Sequence, residues 1–276
     1  MAKLYIGDSQ GTPAIIKIEE VPKTKFGISV DAFLGDVDEN GVYQIPTEPF
    51  TLDLSSIKSL PYYYGLYYKF CRTSVSGTLT IGLEGDLSGR GAMYSCFSSC
   101  TGLTSVNLSS LTTVSGSSSM YSCFQNCDGL TSINLSSLTT VSGSNALQYC
   151  FDGCTGLTSV NLSSLTTVSG NYALQSCFDG CTRLTSVNLS SLTTVSGSGA
   201  LQSCFDHCTK LSTISFPALT SVVNNSFGSA SYNYIFNGCK ALAEIHFRAD
   251  MQATIEAMTG YANKWGATNA TIYFSL

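Results

Sequence analysis

The sequence predicts an α/β repeat solenoid, a stack of parallel coils closed by a small module at each end. Three observations carry this. Cysteines recur at positions 96, 123, 150, 177 and 204, and again at 100, 127, 154, 181 and 208, both series stepping by 27. The residues between them repeat nearly verbatim as CFxxCxxLTSVNLSSLTTVSG. Within one unit, Leu184, Val187, Leu189, Leu192 and Val195 form a leucine-rich pattern whose V-N-L centre alternates like a strand. One such unit cannot bury its apolar edge alone, so stacking in parallel is required.

Taken in chain order, residues 1–50 carry 12 of the 31 charged residues, a denser share than the repeats, and read as a separate β module, with short strands expected near 4–7, 14–19 and 27–33. This module caps the first coil and is an expected attachment or oligomerisation surface. The DVDENG stretch at 36–41 mimics the start of a calcium loop. Its twelfth position is Thr47 where an acid is needed, so a hairpin turning on Asn-Gly is the favoured reading. Residues 51–247 form the solenoid. Leu54 lies two periods before Leu108, and Phe70 one period before Phe97. The CFxxC segment is expected as a short helical turn on the wall opposite the strands, since residues three or four apart share a helix face. Residues 248–276 are expected to close the last coil. Asp250 is placed to N-cap a helix over 251–259, Trp265 to act as a lid, and residues 270–274 to form a final strand.

Composition restricts function. Charged residues make up only 11% and the net charge is −5, against about 25% charged residues in an ordinary soluble domain. Across residues 93–200 the only basic residue is Arg183, so no basic groove for nucleic acid can run along the array. No apolar run reaches the ~20 residues of a membrane span. The N-terminus lacks the pattern of a secretory signal, so synthesis in the cytoplasm is expected, with virion association or display by a route other than general secretion. No G-x-S-x-G, H-E-x-x-H or phosphate-cradling loop is present, and His207 and His246 occupy non-equivalent positions. No enzyme activity and no cofactor are expected.

The phrase CFDGCTGLTSVNL resembles the AFxxCxxLxxIxL core of the BspA-like leucine-rich repeats, over roughly residues 51–247. Cys stands where that family usually has a small residue before Phe, and Ser replaces the usual Pro except at Pro217. The resemblance implies adhesion or ligand binding without catalysis. The first residues also resemble small virion or prophage-encoded proteins, which suggests a phage receptor-binding component. A structural spacer in a larger particle is the alternative.

Candidate site residues follow from departures from the repeat. The cysteines read as core packing, because Lys69 and Ile235 fill the first slot in flanking coils. Metal binding and partial disulfides remain the competing readings. Asn107, Asn134, Asn161 and Asn188 point outward, either as a self-satisfying amide ladder or as the floor of a ligand face. Variation concentrates on the edge after VSG, where Tyr121, Tyr149 and Tyr172 lie, and at the pair inside CFxxC. The run PYYYGLYYKF supplies Tyr62, Tyr63, Tyr64, Tyr67 and Tyr68, either a joint over the first coil or aromatics for a protein or glycan. Tyr232 and Tyr234 flank the longest inserted loop, residues 223–232. The expected partner is a protein or glycan on a cell surface.

Overall fold

A run of Ser, Thr and Val around each V-N-L centre favours extended backbone, and the 27-residue step returns each copy beside the last. The computed structural model describes residues 3–7, 13–17, 51–55, 58–60, 66–230 and 233–275. Two parallel sheets run along the stack. The first contains Asp53–Leu54, Ser76–Ile81, Gly102–Asn107, Ser132–Asn134, Ser159–Asn161 and Ser186–Asn188, adjacent in that order. The second contains Gly85–Asp86, Leu111–Val114, Thr140–Val141, Thr167–Val168, Thr194–Val195 and Ser221–Val222. Register follows the repeat, with Val106 opposite Ile133 and Val160 opposite Val187. A third parallel sheet of Thr213–Phe216, Glu244–Phe247 and Thr271–Phe274 ends the stack.

The core is built from columns, one residue from each coil. Phe70, Phe97, Phe124, Phe151, Phe178, Phe205 and Phe236 stack with ring centroids 5.2–6.3 Å apart and planes within 12°. These spacings lie in the favourable range for offset aromatic pairs. Polar side chains are satisfied the same way. The hydroxyls of Thr139, Thr166 and Thr193 each donate to the carbonyl of the threonine one coil earlier, at 3.0 Å. Such ladders satisfy buried and half-buried polar groups without charge, which explains how the array stays ordered with so few ionisable side chains.

The wall carrying CFxxC is not helical. Along it, Ser95, Phe97 and Ser99 donate their amides to the next coil at 2.7–2.8 Å, while Cys96, Ser98 and Cys100 donate back three residues at 3.1–3.4 Å. Every second amide therefore bridges coils. A helix would direct all of them along its own chain and leave the coils unlinked on this side. The turns need a left-handed residue every fourth position: Ser118, Ser122 and Asn126 at φ 52°, 49° and 57°, then Asn145, Tyr149 and Gly153 at 57°, 56° and 70°. Ser, Asn and Gly dominate these places because that conformation strains larger L-residues.

At the C-terminal end, a 3-10 turn at Ala249–Met251 leads into a helix confined to Gln252–Glu256, shorter than the sequence pattern suggests. Asp250 caps nothing; its carboxylate takes two hydrogen bonds from Arg248 at 2.6 and 2.9 Å. Trp265 is fully buried, edge-on to Phe227 at 5.2 Å, and its carbonyl accepts the Phe236 amide at 3.1 Å. The lid thus continues the hydrogen-bond ladder of the wall as well as covering the apolar end. The expected last strand is present at Thr271–Phe274.

Of the N-terminal segment, Lys3–Gly7 pairs antiparallel with Pro13–Lys17. The strand expected near 27–33 and the DVDENG hairpin lie outside the described residues. Among the described residues, no helix is long and apolar enough to cross a membrane.

Candidate functional site

The cysteines line the interior of the coils. All twelve are unpaired, and every one except half-buried Cys71 is buried. The second thiol of each pair donates to a phenylalanine carbonyl in the preceding coil: Cys127 to Phe97, Cys154 to Phe124 and Cys181 to Phe151, each at 3.2 Å. Burial, reinforced by neighbouring thiols, holds the titration of Cys123, Cys150 and Cys177 well above the ordinary thiol range. Thiolate is the reactive form, so these groups are inert in the folded chain. A thiol titration with Ellman's reagent should find about one fast thiol, Cys71, in the native protein and all twelve in guanidinium. Several fast native thiols would contradict this packing.

The asparagine row behaves differently from an amide ladder. The side-chain oxygens of Asn107, Asn134, Asn161 and Asn188 accept the backbone amides of Ser109, Ser136, Ser163 and Ser190 at 3.0–3.1 Å. Each Asn closes a local turn after its strand. Near the end of the row the first sheet stops at Ser186–Asn188 and Thr213–Phe216 starts another, although the second sheet continues from Thr194 to Ser221. A shallow cleft of about 420 Å³ opens there, lined by Val187, Asn188, Leu189 and Ser215.

The tyrosines separate into three groups. Tyr62, Tyr63, Tyr64 and Tyr232 lie outside the described residues. Tyr234 is 8% exposed and packed in the core, which removes it from any contact surface. The rest form a strip. Tyr67 and Tyr68 are 41% and 48% exposed and meet Tyr94 at 5.2 and 5.7 Å. Tyr94 stacks on Tyr121 at 4.6 Å with planes 6° apart, and Tyr121 meets Tyr149 edge-on at 5.6 Å. Tyr172, 40% exposed, lies one coil further on at the preceding turn, in register with Asn145 and outside this chain of ring contacts. Tyr94 escaped the sequence reading, yet positions 67, 94 and 121 are one period apart, which is the signal that would have found it. Burial and the adjacent tyrosines push the Tyr94 hydroxyl up to about 12, so it remains a neutral donor. Tyr68, Tyr149 and Tyr172 occupy left-handed wall positions at φ 54–56°, where neighbouring coils use Ser, Asn or Gly. Bulky side chains there are strained.

A second polar group was also missed. The residue after CF forms a column: Gln125, Asp152, Asp179, Asp206 and Asn237. Gln125 donates to Asp152 at 2.7 Å, and Asn237 donates to Asp206 at 3.3 Å. Asp179, between two carboxylates, is pushed up to about 7, chiefly by burial and then by the Asp206 and Asp152 charges, with His207 drawing it back. His207, at a position not equivalent to His246, faces the carboxylates of Asp206 and Asp179 at 2.7 and 3.7 Å.

Six copies of the BspA type leucine rich repeat region match, over residues 92–204, 122–231 and 204–259. Among solved structures, a leucine-rich repeat protein of T. pallidum is similar at 17% identity and TM-score 0.34, over 75% of this chain and 73% of that one. One from Bacteroides ovatus is similar at 16% identity and TM-score 0.37, over 82% of this chain and 60% of that one. No curated protein matches the sequence. Leucine-rich repeat proteins generally serve as protein-binding or adhesion scaffolds. With the period, the coils and more than half of the chain matched, the protein belongs to the BspA-type leucine-rich repeat family.

Proposed function

We propose that the protein is a non-enzymatic recognition module that binds a protein or glycan on a cell surface through the strip formed by Tyr67, Tyr68, Tyr94, Tyr121 and Tyr149. The observation that carries this reading is the unbroken contact of five rings along one edge of the stack. The strip presents aromatic surface and phenol hydroxyls side by side, which suit sugar rings or an aromatic-seeking protein surface. Their support on a hydrogen-bonded wall fixes them before binding and limits the entropy lost on contact. The strand face, by contrast, repeats Ser, Thr and Asn almost unchanged from coil to coil, a poor source of selectivity.

The invariance of the coils favours a second reading, a rigid spacer in a larger particle. A glycan array together with a cell-surface binding screen separates the two. Binding that falls by about tenfold or more in a Tyr68→Ala, Tyr94→Ala double variant supports recognition by the strip. Binding to no surface, with stable incorporation into a particle, supports the spacer.

A further inference from the structure

On the same wall, in coils beyond the five-ring strip, the side chains of Asp179, Asp206 and His207 converge, each offering one donor atom within 4.8 Å of the others. His207 Nδ1 lies 2.7 Å from Asp206 Oδ1 and 3.7 Å from Asp179 Oδ1. The Asp206 side chain is only 9% exposed, and its Oδ1 is shut off from solvent without a hydrogen-bond donor. His207 Nδ1 faces this oxygen as an ion-pair partner rather than as an aligned hydrogen-bond donor. Its other oxygen already takes the Asn237 amide. An aligned donor would be the ordinary way to settle a buried carboxylate oxygen. Among the described residues, no lysine or arginine pairs with either aspartate.

The spacing suits a cation. Donor atoms around a tetrahedral zinc ion, with bonds of about 2.0–2.2 Å, stand roughly 3.3–3.6 Å apart; the 3.7 Å separation is close to that range, and the 2.7 Å one requires the exposed His207 ring to move outward as the ion enters. An imidazole nitrogen with two carboxylate oxygens favours a zinc-like ion over calcium or magnesium, which prefer oxygen alone. His207 is 61% exposed, so water can reach the ion from outside. The site occurs once in the array: the equivalents of His207 are Gly153, Gly180 and Gly238.

We propose that Asp179, Asp206 and His207 bind one divalent transition-metal ion of the zinc class, which ties two successive coils together at their outer wall. Asp179 comes from one coil and the other two ligands from the next. This site is independent of the tyrosine strip and does not rest on the recognition reading.

The test is titration of the full chain with Zn²⁺ by calorimetry, paired with the absorption spectrum of the Co²⁺-loaded protein. One ion per chain is expected, with weak visible bands and no thiolate charge-transfer band. Two variants leave the wall intact, since each installs the residue a neighbouring coil already carries: His207→Gly and Asp206→Asn. Each should weaken binding by about tenfold or more, because even outer-shell changes at zinc sites have effects of that size. Absence of saturable binding, unchanged affinity in both variants, or a thiolate band pointing to the cysteines would each overturn the proposal.

Discussion

Phe151→Ala is expected to destabilise the protein by about 3–5 kcal/mol, the range for deleting a fully buried ring. Phe151 has no exposed surface and lies between Phe124 at 5.4 Å and Phe178 at 5.6 Å, so the substitution opens a gap in the middle of a seven-ring column. The gap cannot close by local collapse. The coils on either side are held at fixed spacing by the wall amides and two sheets, so moving one ring inward would stretch several hydrogen bonds. Because each coil contacts only its neighbours, the break also uncouples the two halves of the array. Thermal unfolding by circular dichroism should show a midpoint lowered by roughly 10 °C and a broader transition. Phe151→Leu, closer in volume, should be far milder, below about 1.5 kcal/mol. Equal effects from the two variants would mean that the column is not a tight stack.

Gly170→Ala is the second large effect, although it adds a single methyl group. A Cβ at this position would press into the backbone carbonyls of Gly143 and Ser142 in the preceding coil. Gly116, Gly143 and Gly197 are in the same position relative to their own preceding coils. Backbone atoms cannot swing aside as a side chain does, so the coils must separate locally. Overpacking of this kind is expected to remove about 2–3 kcal/mol, read as a lower denaturant midpoint. Gly85→Ala is the contrasting variant. Nothing lies within 4 Å of its added methyl, and only its left-handed φ of 69° opposes the change. Its effect should be about 1 kcal/mol. A Gly170→Ala protein as stable as the parent would mean that the coils are not in backbone contact at this column.

The coils were legible because a strict 27-residue period admits one stacking solution. Leu184, Leu189 and Leu192 are all buried, as the pattern demands, and Val187 is part-exposed only where the first sheet stops. The wall was not legible. In a helix, residues four apart share a face, and in a chain of turns with a left-handed residue every fourth position they do so as well. Cys177 and Cys181 therefore give the same spacing in both, and only the destination of the amides distinguishes them. The site residues were hidden for a related reason. Asp179, Asp206 and His207 read as variation inside CFxxC when each unit is taken alone. Their chemistry exists only between coils, where sequence neighbours are 27 residues apart. The tyrosines on the variable edge were visible in the sequence, whereas Tyr94, which joins them into a strip, required reading down the column.

Because Phe, Thr, Gly and the wall amides each meet their own kind one coil away, a middle coil has no address of its own. Unequal recombination between the nearly identical coding units can add or remove one without creating a mismatched junction. The protein can therefore change its reach over generations in steps of roughly 5 Å. The strip at one end, the Asp179–His207 group further along and the Trp265 lid at the other end would each stay intact while the distance between them changes.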